Sequence, residues 1–110
     1  MLQFRVRVFG GDTALATLRG RLVLGPETDS FRLLAGALMS EYHRVIFDVG
    51  KLRTIDCAGL GELVRCAARA ERSGTEVGLL RLTRGIRDLM VITRLATLFD
   101  CIDERPQRAA

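Results

Sequence analysis

The segment from Thr54 to Gly61 carries the residues of this sequence whose types and spacing could do chemistry. It reads Thr-Ile-Asp-Cys-Ala-Gly-Leu-Gly and closely follows an apolar run that is typical of a buried strand. Its two glycines allow another backbone to approach closely, and free N–H groups at a helix start favour an anion. The same small residues also suit a tight strand-to-helix turn. The local pattern therefore leaves a binding site and a purely structural turn both open.

Other chemistry-bearing residues are sparse and show no catalytic arrangement. The segment is not a phosphate-binding loop, because it lacks Gly-Lys-Ser/Thr and has Val64 where a dinucleotide fingerprint needs glycine. Three widely spaced cysteines form neither a disulfide framework nor a zinc-ligand pattern, and His43, the single histidine, has no nucleophile motif to serve. We expect no catalysis, no cofactor and no metal. The cysteines at 57, 66 and 101 indicate a reducing compartment, and the absence of a long apolar run predicts a cytoplasmic protein.

The charged residues are unusually uniform. The net charge is +4, and Lys51 is the only lysine among 17 basic residues. Arg65, Arg69 and Arg72 recur at helical spacing and predict a basic ridge. Such a ridge is either a solvated helix face or a docking surface for an acidic partner or phosphate. With no tryptophan and one tyrosine to stack on bases, nucleic acid is not an expected partner.

Hydrophobic periodicity predicts the elements that position this segment. Alternating or continuous apolar runs indicate strands, and apolar residues at i, i+3, i+4 and i+7 indicate helices. The predicted strands cover 4–9, 13–18 with a continuation at 22–24, 44–49, 76–80 and 98–102. Three helices are predicted: the first begins at Pro26, the second covers 59–72 and the third covers 83–93. This order predicts an α/β fold with a four- to five-stranded mixed sheet and helices packed mainly on one face. We expect one domain over residues 1–110, with about 104–110 as a flexible tail.

Several local expectations follow from this assignment. Lys51 to Ala58 is expected to be a connection, and Asp48 a strand-end residue that hydrogen-bonds into it. Asp56 is expected to accept backbone N–H bonds near the helix start. Along the second helix the predicted buried side is Leu60, Leu63, Val64, Ala67 and Ala68, and the predicted exposed side is Glu62, Arg65, Arg69 and Arg72. The buried stripe favours a core role for Leu60 over that of an apolar anchor.

Four stretches of the sequence together resemble the STAS domain family. They are Asp56-Cys-Ala-Gly-Leu-Gly61, the central strand Val45-Ile-Phe-Asp-Val49, the turn Gly20-Arg-Leu22, and the closing unit from Gly85-Ile-Arg-Asp-Leu-Met90 through Leu98-Phe-Asp-Cys-Ile-Asp103. The resemblance covers nearly the whole chain and preserves the order of the elements. This family includes bacterial anti-sigma factor antagonists and the cytoplasmic tails of anion transporters.

The resemblance implies a regulatory site at the start of the second helix. In phospho-switched family members, a Ser or Thr precedes Gly-Leu-Gly, and a partner kinase that is also the anti-sigma factor phosphorylates it. Here that position is Ala58, which has no hydroxyl. The partner-binding residues carried over from the resemblance are Asp56, Cys57, Ala58, Gly59, Leu60, Gly61 and, on the flanking helix, Arg65.

The alanine leaves several interpretations open. The chain is a permanently binding-competent antagonist, a member regulated elsewhere, or one that has lost its switch. Cys57 takes the adjacent serine position, either as a redox-sensitive thiol or as a small packed residue, and Thr54 is an alternative phosphosite.

The sequence thus predicts a non-catalytic bacterial regulator of transcription that binds a histidine-kinase-like anti-sigma factor. The alternative is a regulatory subunit of a membrane transport complex, with a transporter ATPase as partner, or of a signalling scaffold. No direct membrane insertion is expected, and a homodimer is compatible with the sequence.

Overall fold

Five strands and three helices make up the fold of the computed structural model, which describes residues 1–92 and 100–102. In chain order they are β1 (Leu2–Phe9), β2 (Thr13–Leu22), α1 (Pro26–Glu41), β3 (Arg44–Ile55), α2 (Cys57–Ser73), β4 (Glu76–Leu80), α3 (Arg84–Ile92) and β5 (Asp100–Ile102). The β-β-α-β-α-β-α-β order is the predicted one.

The strands form one mixed sheet in the order β1-β2-β3-β4-β5. The β1–β2 hairpin is antiparallel, and each later strand pairs in parallel with the strand before it. All three helices contribute to one core with the same sheet face, where Phe31 of α1 contacts Phe47 of β3 at a ring-centroid distance of 5.0 Å. The predicted α/β class, with helices mainly on one face, is confirmed.

Two strands are longer than predicted, because pairing continues past a glycine. β2 runs through Gly20, whose φ of 104° suits glycine and brings it against the Met1 carbonyl. β3 runs through Gly50 to Ile55 and stays paired with β2, with register shifts that absorb extra residues on β3. The expectation that Lys51 to Ala58 forms a connection was therefore wrong for most of that segment, which extends the central strand to the start of α2.

Asp48 also differs from its predicted place. It lies inside β3, fully buried, opposite Thr17 and Leu80 of the neighbouring strands. Its carboxylate forms an ion pair with Arg81, whose Nε donates to Oδ1 at 3.1 Å and whose Nη2 donates to Oδ2. The Gly50 N–H donates to the same carboxylate at 3.0 Å. A buried charge is tolerated here because a cation and an amide satisfy it.

α2 begins two residues earlier than predicted and ends at Gly74, which adopts the left-handed conformation with a φ of 74°. Leu60 and Leu63 are buried as expected. Two assignments of its faces were wrong: Ala68 is exposed and Glu62 is 7% exposed. The packing of α1 against this side of α2 covers Glu62 and leaves Ala68 outside.

The C-terminal unit agrees with its prediction where the structure describes it. The Thr83 hydroxyl accepts from the Ile86 N–H at 3.3 Å and caps α3, and Ile86 and Met90 are buried. The predicted strand residues 98–99, the last residue of the predicted third helix and the predicted 104–110 tail lie outside the described residues. No helix in the described ranges is long and apolar enough to cross a membrane.

Candidate functional site

Asp56 fixes the start of α2 with both of its carboxylate oxygens. Oδ1 accepts from the Gly59 N–H at 2.9 Å, and Oδ2 accepts from the Leu24 N–H at 2.9 Å. The Leu24 bond, followed by the Gly59 bond, holds the pKa of the Asp56 carboxyl below its usual value. The predicted N–H acceptor role of Asp56 is confirmed as a helix cap. The second bond ties the loop that leads into α1 to the first turn of α2.

Close packing requires only one of the two motif glycines. A Cβ at Gly59 would lie 2.1 Å from the Leu22 carbonyl oxygen, so only glycine allows α2 to start this close to β2. A Cβ at Gly61 would meet nothing within 4 Å. Packing therefore explains Gly59 and leaves Gly61 without a steric reason.

The remaining motif residues divide between core and surface. Leu60 is 5% exposed and packs in the main core, as its place on the buried stripe predicted. Cys57 is exposed, Ala58 is half-buried, and Thr54 is exposed on the last part of β3. The surface that this helix start offers is therefore made of Cys57, Ala58 and the backbone around them.

Glu62 connects this helix start to α1. Arg32 of α1 donates to it twice, from Nη2 at 2.7 Å and from Nε at 3.3 Å. This hydrogen bonding lowers the pKa of the Glu62 carboxyl even though burial acts in the opposite direction. Arg32 also contacts Asp29 at 3.4 Å, so one guanidinium serves two carboxylates. The pair fixes how α1 and α2 lie against each other beside the motif.

The predicted basic ridge follows the groove between α1 and α2. Arg65, Arg69 and Arg72 are all exposed and line a groove of about 280 Å³ together with Arg32. The Arg69 guanidinium lies over Gly36 of α1, where an added Cβ would come within 3.2 Å of it. Arg65 lines the same groove, about two and a half helical turns beyond the cap.

The described cysteines occupy opposite environments. Cys66 is buried beneath the groove, and burial raises the pKa of its thiol to about 12. Cys57 is a free, exposed thiol. Within residues 1–92 and 100–102, no group of three His, Cys, Asp or Glu side chains could hold a metal ion.

Leu24 and Arg32 are the site residues that the motif did not reveal. Leu24 contributes only its backbone N–H, and its side chain is 76% exposed, so its residue type carries no information about that bond. Arg32 lies 30 residues before Glu62, and only the packing of two helices brings them together. No local pattern in the sequence indicated this contact, because Glu62 falls on the charged side of the predicted helix.

The chain matches the family model of the STAS domain over residues 9–107, and it belongs to that family. Solved structures agree in fold. An anti-sigma factor antagonist from Mycobacterium paratuberculosis has a TM-score of 0.78 at 14% identity, covering 94% of this chain and 87% of that one. The Bacillus cell fate determinant SpoIIAA in its phosphorylated form has a TM-score of 0.72 at 16% identity, covering 93% of each chain.

A part of SLC26A9 is also similar. That match has a TM-score of 0.61 at 16% identity and covers 76% of this chain and 16% of the SLC26A9 chain. No curated protein sequence is significantly similar to this chain.

Proposed function

We propose that this chain is a non-catalytic anti-sigma factor antagonist that binds a kinase-like anti-sigma factor through the start of α2. The observation that supports it most is the capped helix start with exposed Cys57 and half-buried Ala58, the latter at the position where the resemblance puts the family's phospho-acceptor. The similarity to anti-sigma factor antagonists, one of them in a phosphorylated form, points the same way.

Ala58 makes this antagonist permanently competent to bind. A phosphate at this position would add about −1.5 to −2 charges beside the Asp56 carboxylate and repel an acidic partner. The alanine cannot accept one, so no kinase can release the complex through this residue. The exposed Arg65 on the same helix adds a positive charge that favours such an acidic partner.

The test uses three versions of the chain as baits in extract of the source organism, in reducing buffer. Wild type and Ala58→Asn are expected to capture a histidine-kinase-like ATPase, identified by mass spectrometry. Ala58→Asp is expected to lose this ATPase, because its negative charge would repel an acidic partner. Aspartate and asparagine have nearly the same volume, so the comparison with Ala58→Asn isolates the effect of the charge. Equal capture by all three baits would show that this helix start is not a charge-gated docking site.

A gain-of-function arm addresses the missing switch. With the captured ATPase and ATP, Ala58→Ser is expected to become phosphorylated on the new hydroxyl, and wild type is expected to stay unmodified. Modification of wild type at Thr54 would instead move the phosphosite to β3.

A second candidate function is supported by the similarity to part of SLC26A9. In that case the chain is a regulatory subunit of a membrane transport complex. Capture of a transport ATPase by wild type, in place of a kinase-like one, would favour it.

A further inference from the structure

β1 is an outer strand of the sheet and is exposed on both faces. Sheet order gives it one neighbour, β2, among the described strands. Six of its eight residues are exposed, although the alternating sequence predicts a half-buried strand. The family match begins at Phe9, so the rest of β1 lies outside the part of the chain that defines the family.

The helix-side face of β1 is apolar. Phe4, Val6 and Val8 pair with β2 residues that belong to the main core, so their side chains lie on the same side as that core. They nevertheless remain 46%, 37% and 48% exposed. An eight-residue outer strand with an exposed apolar row is a template for pairing with another strand.

The opposite face of β1 is basic. Arg5 and Arg7 lie there, and Arg19 of β2 and Lys51 of β3 are adjacent in register. These four cations line an open groove of about 760 Å³. Within residues 1–92 and 100–102, none of them has a carboxylate at ion-pair distance. An acidic segment of another molecule would complement the charge of this exposed face.

A second copy of this chain is a poor occupant. An antiparallel β1–β1 pair keeps each face with its own face. Centred on Val6 it places Arg5 opposite Arg7, and centred on either arginine it places that arginine opposite its own copy. Centred on Phe4 it avoids this contact but leaves Val8 outside the pair and the arginines without a carboxylate. Like charges directly opposite one another destabilise a strand pair. A strand that alternates acidic with apolar residues satisfies both faces at once.

We propose that β1 is a docking edge for an extended segment of a partner protein in which acidic and apolar residues alternate. The segment adds a sixth strand to the sheet. Its backbone bonds to the free edge of β1, its apolar residues cover Phe4, Val6 and Val8, and its carboxylates pair with Arg5 and Arg7. This edge shares no residue with the start of α2, so the segment is a second contact, independent of the one at Ala58.

The probe is a capped synthetic decapeptide that alternates Glu with Val, titrated to millimolar concentration into ¹⁵N-labelled protein. Shift changes are expected along β1 and β2, with slower exchange of the outward β1 amides. A peptide of the same composition in scrambled order is expected to bind at least about tenfold more weakly, because it cannot present one residue type to each face.

A charge swap makes the test specific. Arg5→Glu with Arg7→Glu is expected to weaken binding of the Glu/Val peptide by about tenfold or more and to create binding of a Lys/Val peptide. The matched control, Arg69→Glu with Arg72→Glu on α2, is expected to leave both unchanged. The proposal is overturned by absence of shifts in β1, by shifts centred on α2, by equal binding of the scrambled peptide, or by concentration-dependent dimerisation through β1.

Discussion

Replacing Arg81 with leucine removes the one cation that hydrogen-bonds the buried Asp48 carboxylate in the described part of the chain. Removing one partner of a buried ion pair usually costs about 3–5 kcal/mol, because the other charge stays buried without compensation. The Gly50 N–H still donates to Asp48, and the Arg81 side chain is 34% exposed, so water can replace it in part. We therefore expect a loss at the lower end, about 3 kcal/mol.

Urea unfolding followed by far-ultraviolet circular dichroism measures this loss, since the chain has no tryptophan for fluorescence. With a urea slope of about 1.5 kcal/mol per molar, the Arg81→Leu midpoint falls by about 2 M. The matched control is Arg84→Leu, which removes an exposed arginine three residues later and is expected to change stability by less than about 0.5 kcal/mol.

The double variant Asp48→Asn with Arg81→Leu separates the charge effect from lost packing. It removes the stranded charge, and the asparagine oxygen can still accept from Gly50. It is expected to be more stable than Arg81→Leu alone. A loss below about 1 kcal/mol for Arg81→Leu, or a double variant no more stable than Arg81→Leu alone, would refute the reasoning.

Three further predictions concern the start of α2. Gly59→Ala forces a Cβ against the β2 carbonyl and is expected to lower the free energy of unfolding by about 1–3 kcal/mol. Gly61→Ala has open space around it and is expected to raise the free energy of unfolding by about 0.5–1 kcal/mol. Urea titration measures both changes. Because folding lowers the pKa of Asp56, the ionised carboxylate stabilises the folded protein above the pKa of about 3.9 in the unfolded chain, and this stabilisation is lost as the pH falls through the folded pKa. In Asp56→Asn the urea midpoint is therefore expected to fall less between neutral and acid pH than in wild type. With a pKa of about 12, about one Cys66 thiol in 10⁴ is a thiolate at pH 8. Iodoacetamide is therefore expected to alkylate exposed Cys57 about a hundredfold faster than Cys66, as followed by site-resolved mass spectrometry.

Each of these has a contradicting result. Equal effects of the two glycine substitutions would remove the steric argument for Gly59. An unchanged acid profile in Asp56→Asn would mean that the two backbone bonds do not favour the charged carboxylate. Equal alkylation of the two thiols would show that the core around Cys66 opens readily to solvent.

Periodicity predicted the elements well, because strands and helices with one buried face carry their pattern locally. It failed where pairing with a neighbour decides the outcome. Nothing around Gly50 in the sequence shows that β2 continues far enough to pair with Leu52 and Ile55. The same limit applies to Asp48, which looked like a strand-end residue because its partner, Arg81, lies 33 residues further along the chain.

The candidate site was predictable to a similar extent. Asp56 was identifiable as a cap because capping depends on residues three positions apart. The burial of Glu62 was not, because its exposed assignment assumed that a charged residue faces solvent. Only the position of α1 brings Arg32 to it. Local sequence therefore located the helix start, and long-range packing decided which of its residues reach the surface.

The sequential strand order has a consequence for how the chain is made. Each strand from β2 to β5 lies beside the strand synthesised just before it, so among the described strands only β1 waits for a partner that is translated later. The β1–β2 hairpin comes first and needs only a short loop to close. Each helix and strand that follows then adds to an edge that is already present. The fold can thus grow in the direction of translation, with its newest edge always nearest the ribosome.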